Sequence, residues 1–263
     1  MAASSSTPTS WTRLFAVKVD LTRFLADHDV ALEVTTRDRS ATLKKLTDTW
    51  LTDYHLFYSG EGYDDIEFNC VDRIKVPRNI GGLSPTRNFV LDRLKQKVVI
   101  MFDDDITAFR WVHGSKSIRL DQEQIKLMIM DLVVHALDQN VGMFGISNVD
   151  LRKSSPLIPF ATRQAITTVI GVVGRQVRFD ERQSLKDDHD FAMEGLKIYR
   201  TIHRDNRYMF QNDTDKLPGG SMEFRTQERR LTEVQNLIDW WGPDIVKPGT
   251  NKASESLSIH IPK

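Results

Sequence analysis

Three consecutive aspartates, Asp103, Asp104 and Asp105, directly follow the apolar run VVIMF. Carboxylates crowded at the end of a buried strand repel one another and resist desolvation, so they favour a bound cation. An Asp-x-Asp pair can hold Mg²⁺ or Mn²⁺ through oxygen ligands and leave coordination positions open for diphosphate oxygens. A solvated turn whose acids cap the next segment is the alternative interpretation.

A second acidic stretch, FDERQSLKDDHDF, occupies residues 179 to 191, about 80 residues further along the chain. It opens a helical pattern, and a carboxylate at a helix N-terminus is favoured in its charged form and can accept backbone N–H bonds. Asp188 is therefore a candidate general base for a hydroxyl within hydrogen-bond reach. Asp190 is the alternative base, and plain N-capping is the structural alternative.

Alternating strand and helix patterns precede the three aspartates. The run VALEVTT at residues 30 to 36 predicts a buried strand, and RDRSATLKKLTDTWL has the spacing of a helix. Two further predicted strands, YHLFYSG and DRIKVP, and the loop and helix NIGGLSPTRNFVLDRL lead to VVIMF. This order predicts an α/β fold with a mostly parallel central sheet flanked by helices, which binds ligands at the carboxyl ends of its strands.

The rest of the chain continues the α/β pattern. Residues 122 to 139 predict a long buried helix, VGMFGISNV and AITTVIGVVG predict strands, and residues 231 to 241 predict a last helix. The Ser/Thr/Pro-rich residues 1 to 10 predict a disordered tail, and KPGTNKASES predicts an extended C-terminal tail.

The composition argues against several classes of protein. The 36 basic and 36 acidic residues cancel, so no global field draws the chain to nucleic acid or to an anionic membrane. A single cysteine, Cys70, excludes an intrachain disulfide and a Cys-rich zinc site. No run approaches the roughly 20 apolar residues of a membrane helix, and the first residues lack the apolar core of a signal peptide. We expect a cytoplasmic protein without membrane contact.

The order of these motifs resembles the GT-A-fold glycosyltransferases of the family 2 type. The matching stretches are VALEVTTRDRSATLKKL, PRNIGGLSPTRNFVLDRL and VVIMFDDDI, with KDDHD in place of the family's later Glu-Asp-x-Asp element. The resemblance implies a single GT-A, Rossmann-like domain over residues 11 to 230, followed by a C-terminal helix and tail at 231 to 263. Its nucleotide-binding half would span about 30 to 110, and its acceptor half about 111 to 230.

The resemblance also implies roles for individual residues. Asp103 would face the ribose and the metal, Asp105 would ligate a Mn²⁺ or Mg²⁺ ion on the donor diphosphate, and Asp188 would deprotonate the acceptor in an inverting reaction. His203 lies where such enzymes often take a third metal ligand. The donor, UDP-glucose or a similar nucleoside diphosphate sugar, would contact eight residues: Thr35, Thr36, Arg37, Arg39, Arg87, Asn88, Asp103 and Asp104.

The long NIGGLSPTRN lead-in and the DDD strand end further resemble the TET/JBP-associated glycosyltransferases, many of them encoded by phages. That branch implies a DNA acceptor carrying a hydroxymethylated base such as hydroxymethylcytosine, in the cytoplasm of a phage host. Basic clusters such as RDRSATLKK and RTQERR could follow DNA phosphates, or could be ordinary solvated surface. A glycan or a small molecule is the alternative acceptor.

Two other functions remain open from the sequence. Asp103-x-Asp105-x-Thr107 also resembles the first motif of haloacid-dehalogenase-like phosphatases, which would make Asp103 a phosphoryl-accepting nucleophile. That motif normally lies on the first strand of its domain, whereas three strand and helix units precede it here. The third possibility is a non-catalytic module that binds nucleotide sugar without turnover.

Overall fold

Strands and helices alternate along the chain, which the computed structural model describes over residues 19–114, 116–148, 158–213, 226–248 and 257–259. The described helices are α1 Leu21–Asp27, α2 Ser40–Trp50, α3 Leu83–Arg93, α4 Gln122–Asp138, α5 Asp187–Tyr199 and α6 Gln227–Trp241. The described strands are β1 Val30–Arg37, β2 Tyr54–Ser59, β3 Asp72–Lys75, β4 Val98–Asp103, β5 Ile106–His113, β6 Lys116–Arg119, β7 Met143–Asn148, β8 Phe160–Ala161, β9 Val169–Val173, β10 His203–Asn212, β11 Val246–Pro248 and β12 Leu257–Ile259. Residues 1 to 10, the predicted disordered tail, lie outside the described residues.

One large sheet contains ten of the described strands, in the order β3-β2-β1-β4-β9-β7-β10-β5-β6 with β8 beside β10. Strands β3, β2, β1 and β4 are parallel, and β7, β10 and β6 run in the same direction. Only β9, β5 and the short β8 run the other way among the described strands. The predicted α/β fold with a mostly parallel central sheet is confirmed.

The central strand β4 is apolar from Val98 to Phe102 because helices cover both faces of the sheet. Val98, Ile100 and Phe102 pack in the core shared with α1, α2 and α4, whereas Val99 and Met101 pack in the core shared with α3 and α5. A nearly continuous apolar run is typical of a strand that is buried on both faces. Side chains alternate along a strand, so the next residue, Asp103, falls on the face of α3 and α5.

The last described elements pack on the outside of α5. Leu237 of α6 and Val246 of β11 bury their side chains against Met193 of α5. Strand β11 pairs antiparallel with β12, so the described parts of the predicted C-terminal tail form a two-stranded sheet instead of a free extended segment. Burial of Val246 accounts for this difference. None of the described helices combines the length and the apolar character that a bilayer span requires.

Candidate active site

The three aspartates lie where β4 ends at the edge of the sheet. Asp103 is the last residue of the strand, and Asp104 and Asp105 form the turn into β5. The parallel register pairs Thr35 of β1 with Asp103, so the loop after β1 reaches the same edge. The Asp103 side chain is 31% exposed, whereas Asp104 and Asp105 are buried. Asp103 is thus the most accessible carboxylate of the motif.

A buried arginine joins the two acidic motifs. Arg87 Nη2 donates a 2.7 Å hydrogen bond to Asp103 Oδ1, and Nη1 donates a 2.8 Å hydrogen bond to Asp187 Oδ2. Burial alone would lower the pKa of this guanidinium, but Asp187 and Asp103 raise it, so the group remains charged. Each amino group thus binds a carboxylate of the protein, and the donor contact of Arg87 stays a prediction.

Asp187 and Asp188 begin α5 in different surroundings. Asp187 is buried, and its burial raises its pKa even though Arg87 opposes the shift. Asp188 keeps a side-chain exposure of 21%, and its Oδ1 accepts a 2.8 Å hydrogen bond from the His189 backbone N–H. Burial also opposes ionisation of Asp188, but the His189 ring, 2.7 Å from Oδ1, and Arg87 together lower its pKa. Asp188 therefore has the accessibility and charge of a general base.

Asp190, the alternative base, faces another element. Its Oδ1 accepts a 2.8 Å hydrogen bond from Trp241 Nε1 of α6, and the residue is buried. Two residues along an α-helix correspond to a rotation of about 200°, so the side chains of Asp188 and Asp190 leave α5 in nearly opposite directions. The structure thus gives Asp190 a packing contact and does not support it as the base.

The loop after β1 is fastened to the aspartate turn by Asp104. Asp104 Oδ2 accepts a 2.8 Å hydrogen bond from Thr36 Oγ1, and Oδ1 accepts one from Arg39 Nη1. The Tyr63 hydroxyl lies 2.9 Å from Thr36 Oγ1 and accepts a 2.9 Å bond from the Arg39 backbone N–H. Thr36, Arg39 and Asp104 are all buried and make hydrogen bonds that shape the loop, and their donor contacts stay predictions.

Thr35 and Arg37 extend from the opposite face of β1. The Thr35 hydroxyl donates to the carboxyl of Glu33, which is buried on the side of Arg87. Burial raises the pKa of Glu33 to about 8, although the Thr35 hydrogen bond acts against the shift. The Arg37 side chain is 42% exposed, which leaves it accessible to an anionic ligand.

Asn88 of α3 fixes the loop that leads to α5. Its side-chain Nδ2 donates a 2.9 Å hydrogen bond to the Phe179 carbonyl, and its Oδ1 accepts a 2.9 Å bond from the Phe179 N–H. Asn88 Nδ2 also lies 3.2 Å from Glu181 Oε1. The residue was predicted to contact the donor, but its amide is used to hold the backbone of this loop.

His203 lies far from the aspartates. Its register partner on β7 is Phe144, which pairs with Gly171 of β9, which in turn pairs with Ile100 of β4. His203 is therefore three strands away from β4 and three residues back from its end, about 17 Å from Asp103 at usual strand spacings. The ring is buried against Phe160, with centroids 4.6 Å apart, and burial lowers its pKa. We therefore exclude His203 from the predicted metal site.

Asp103 and Asp105 remain as candidate ligands of a divalent cation. Their carboxylates are hard oxygen donors two residues apart, which suits Mg²⁺ or Mn²⁺. Within the described residues, no group of three or more His, Cys, Asp or Glu side chains is arranged to hold a metal ion. The two aspartates fit a cation that takes its other ligands from water and from the phosphate oxygens of a bound molecule.

Comparisons by sequence find no family model and no curated protein that matches. Solved structures do match the fold. A complex of glucosyl-3-phosphoglycerate synthase from Mycobacterium tuberculosis with Mn²⁺ and UDP aligns over 91% of this chain and 88% of its own, with a TM-score of 0.55 and 12% identity. TarS 1–349 from S. aureus with UDP-GlcNAc aligns over 80% and 67%, with a TM-score of 0.51 and 13% identity. This chain has the GT-A fold.

A third GT-A structure, the mannosyltransferase PcManGT from Pyrobaculum calidifontis with GDP-Man and Mn²⁺, aligns over 80% of this chain at a TM-score of 0.50 and 15% identity. The chain spans 64% of that mannosyltransferase and 40% to 67% of the TarS chains it matches. At these identities the likeness establishes the GT-A fold of this chain.

Two residues of the candidate site escaped the sequence analysis. Glu33 is an acid inside the β-branched run VALEVTT, and an ionisable residue in a buried strand is a signal that could have been used. Tyr63 lies within the acidic loop EGYDD after β2, and nothing in the sequence links it to Thr36. Both residues act within one or two contacts of the aspartate turn.

Proposed function

We propose that this chain is a metal-dependent glycosyltransferase that moves a sugar from a nucleoside diphosphate sugar, such as a UDP-sugar, to a hydroxyl group. The Arg87 bridge is the observation that carries the proposal. With bonds of 2.7 Å to Asp103 and 2.8 Å to Asp187, it joins the predicted cation site to the helix start that presents the predicted base. A sugar transferase needs a cation to stabilise the leaving diphosphate on one side of the anomeric carbon and a base to activate the acceptor hydroxyl on the other.

The donor site is assigned to the edge of the sheet. Asp103 and Asp105 would hold the divalent cation, which supplies Lewis-acid stabilisation of the departing diphosphate when bound. Arg37, the last residue of β1, is 42% exposed and would meet an anionic donor group, although its Nε also lies 3.4 Å from Asp38 Oδ2. The GT-A structures solved with UDP-GlcNAc, with GDP-Man and Mn²⁺, and with UDP and Mn²⁺ support this kind of donor and cation.

Asp188 is assigned the role of general base. It accepts the proton of the acceptor hydroxyl while the hydroxyl oxygen forms a bond to the anomeric carbon of the sugar. The bond from that carbon to the diphosphate oxygen breaks at the same time, and the nucleoside diphosphate leaves with the electron pair. One displacement of this kind inverts the anomeric configuration. The lowered pKa keeps Asp188 ionised before the reaction, and it also makes the carboxylate a weaker base.

We propose a 5-hydroxymethylpyrimidine in DNA as the acceptor, on the resemblance of the NIGGLSPTRN and DDD elements. The target base would have to leave the helix stack for its hydroxyl to reach Asp188. A glycan or a small-molecule hydroxyl is the alternative acceptor. The GT-A fold weighs against the phosphatase hypothesis, which requires the different fold of the haloacid dehalogenases.

Nucleotide release and product mass test the proposal. The protein is incubated with Mn²⁺ and a panel of nucleotide sugars, with and without duplex DNA containing 5-hydroxymethylcytosine or 5-hydroxymethyluracil. We expect release of nucleoside diphosphate together with a DNA mass gain of one hexose, and loss of both in Asp103→Asn and Asp188→Asn.

Three outcomes would count against parts of this proposal. Absence of nucleotide release with every donor and acceptor would reject the transferase activity and favour a binding module. Release that depends on a glycan, with no change in DNA mass, would reject the DNA acceptor only. A product with the anomeric configuration of the donor would reject the inverting mechanism with Asp188 as base.

A further inference from the structure

A carboxylate from α6 occupies the N-terminal end of α5. Glu233 Oε2 accepts hydrogen bonds from three consecutive backbone N–H groups, those of Ser184 at 3.1 Å, Leu185 at 2.6 Å and Lys186 at 3.0 Å. Glu233 is 3% exposed. Successive N–H groups that converge in this way form an anion-binding concavity, and here an acid of the same chain fills it.

This contact supplies a cap that the sequence of α5 lacks. The N-cap residue of α5 is Lys186, whose side chain makes no capping hydrogen bond. The first turn of a helix leaves backbone N–H groups without intrahelical partners, and these groups favour a nearby negative charge. Glu233 thus stabilises the N-terminal end of α5 from a position 47 residues further along the chain.

The second oxygen of Glu233 fixes the orientation of the carboxylate. Oε1 accepts a 2.9 Å hydrogen bond from the Ser184 hydroxyl and a 3.2 Å bond from Arg229 Nε. Arg229 Nη2 in turn donates a 2.7 Å bond to the Ser184 hydroxyl oxygen. With both oxygens bound, the carboxylate can rotate little, and the backbone of Ser184, Leu185 and Lys186 is held accordingly.

The same loop is held from its other side by α3. Asn88 binds the Phe179 backbone, and the Ser84 hydroxyl donates to the carbonyl of the buried Gln183. The segment before Asp187 and Asp188 is therefore fixed between two helices. On the α6 side, the loop backbone from 184 to 186 depends on the single Glu233 carboxylate for its hydrogen bonds.

We propose that Glu233 is a positioning residue for Asp188. This proposal rests on the transferase function proposed above. By fixing the backbone of the three residues that precede Asp187, it sets the direction in which Asp188 leaves the first turn of α5. Displacing a reacting group by about 1 Å can cost about a hundredfold in rate. Glu233 has no hydrogen bond or ion pair to Asp103, and the described hydrogen bonds link the two only through Asp187 and Arg87, so we expect donor binding to change less than turnover.

Three variants separate positioning from stability. Glu233→Ala removes the acceptor of the three N–H bonds, whereas Glu233→Gln keeps an oxygen that can accept them. Leu237→Ala is the matched control, because Leu237 lies one turn further along α6 and is fully buried against Met193 of α5. We expect Leu237→Ala to lower the melting temperature and keep kcat.

For Glu233→Ala we expect kcat for transfer to fall about tenfold to a hundredfold while KM for the nucleotide sugar changes less than about twofold. Glu233→Gln should recover most of this loss. An alanine variant that stays folded and keeps wild-type kcat, or a kcat loss equal to that of Leu237→Ala, would overturn the proposal.

Amide hydrogen exchange provides a readout that does not require activity. The amides of residues 184 to 186 should exchange faster in Glu233→Ala than in Leu237→Ala. In Glu233→Gln they should exchange more slowly than in Glu233→Ala. If the wild-type protein turns over no nucleotide sugar, the proposed function fails, and the exchange pattern still decides whether Glu233 holds this loop. Equal exchange in all three variants would show that it does not.

Discussion

At the scale of single residues, neighbouring acids on α5 have different surroundings. Asp188 is partly exposed and paired with His189, whereas Asp190 is buried and bound to Trp241. We expect Asp188→Asn to lower kcat for transfer by about a hundredfold to ten-thousandfold, the usual contribution of general base catalysis. Asp190→Asn keeps an oxygen for the Trp241 bond and should stay within about threefold of wild type in kcat.

The rate of nucleotide release under single-turnover conditions measures the transfer step in both variants. Circular dichroism melting of the same samples shows whether either substitution unfolds the protein. A larger loss in Asp190→Asn than in Asp188→Asn would reverse the assignment of the base.

Glu33 makes stability depend on pH. Its folded pKa of about 8 lies above the usual 4.5, so the folded state keeps a proton that the unfolded chain releases. Glu33 makes its full contribution to the free energy of unfolding below about pH 4.5. As the pH rises from there to about 8, the free energy of unfolding falls by up to about 1.4 kcal/mol per pH unit. Glu33→Gln is neutral at every pH, so we expect its advantage over wild type to grow between pH 5 and pH 8.

Urea unfolding at several pH values measures this difference. Glu61→Gln, at an exposed position of the loop after β2, is the matched control and should follow wild type throughout. Wild type and Glu33→Gln curves that stay parallel would show that Glu33 ionises equally in both states.

At the scale of elements, a glycine lets β7 approach its neighbour β9. A Cβ added at Gly145 would lie 2.4 Å from the Val169 carbonyl oxygen, and backbone cannot move aside as a flexible side chain can. We expect Gly145→Ala to destabilise the protein by about 1 to 3 kcal/mol, as overpacking does. Gly81→Ala has no atom within 4 Å of the added Cβ and should change stability little. Chemical denaturation of the two variants tests this, and equal midpoints would contradict it.

The helices and strands that were predicted from the sequence are those whose apolar residues follow one clear periodicity. The strand at residues 30 to 36, VVIMF and the helix at 122 to 139 appear as β1, β4 and α4 because apolar side chains on each of them meet a core. Strand β10 was missed because its sequence HRDNRYMFQN is largely polar. In the structure Arg207 binds Asp205 and Asp131, and the register shifts between Asp205 and Met209, which removes the simple alternation.

The site was predictable in its motifs and less so in its contacts. The strand end with three aspartates and the helix start with Asp188 were located from local patterns. The partner of Arg87 was not, because Asp187 lies 100 residues away in sequence and only packing brings the two together. The hydrogen bonds of Asn88 to the Phe179 backbone were also not predicted. Sequence alone does not distinguish a polar residue that binds a ligand from one that binds a loop of the protein.

At the scale of the whole molecule, ligand binding should be visible as added stability. A ligand that binds only the folded state stabilises it by about 2.7 kcal/mol at a hundredfold excess over its dissociation constant. We expect Mn²⁺ with UDP to raise the melting temperature more than either does alone, because the cation would be shared between the protein and the diphosphate. EDTA should reverse the shift and abolish transfer.

Two aspartate variants make this test specific. Asp103→Asn should lose the combined shift, whereas Asp92→Asn, at a carboxylate that is 68% exposed on α3, should retain it. A shift that survives Asp103→Asn would place the cation elsewhere.

The Arg87 bridge has a consequence for how the two acidic motifs influence each other. One guanidinium shares its charge between Asp103 at the end of β4 and Asp187 at the start of α5. A cation that neutralises Asp103 leaves more of that charge to Asp187, which makes ionisation of Asp187 easier. Thermodynamic reciprocity then requires that loss of a proton from Asp187 strengthens cation binding by the same factor. The cation and the proton therefore compete through a single arginine, and metal affinity should increase with pH.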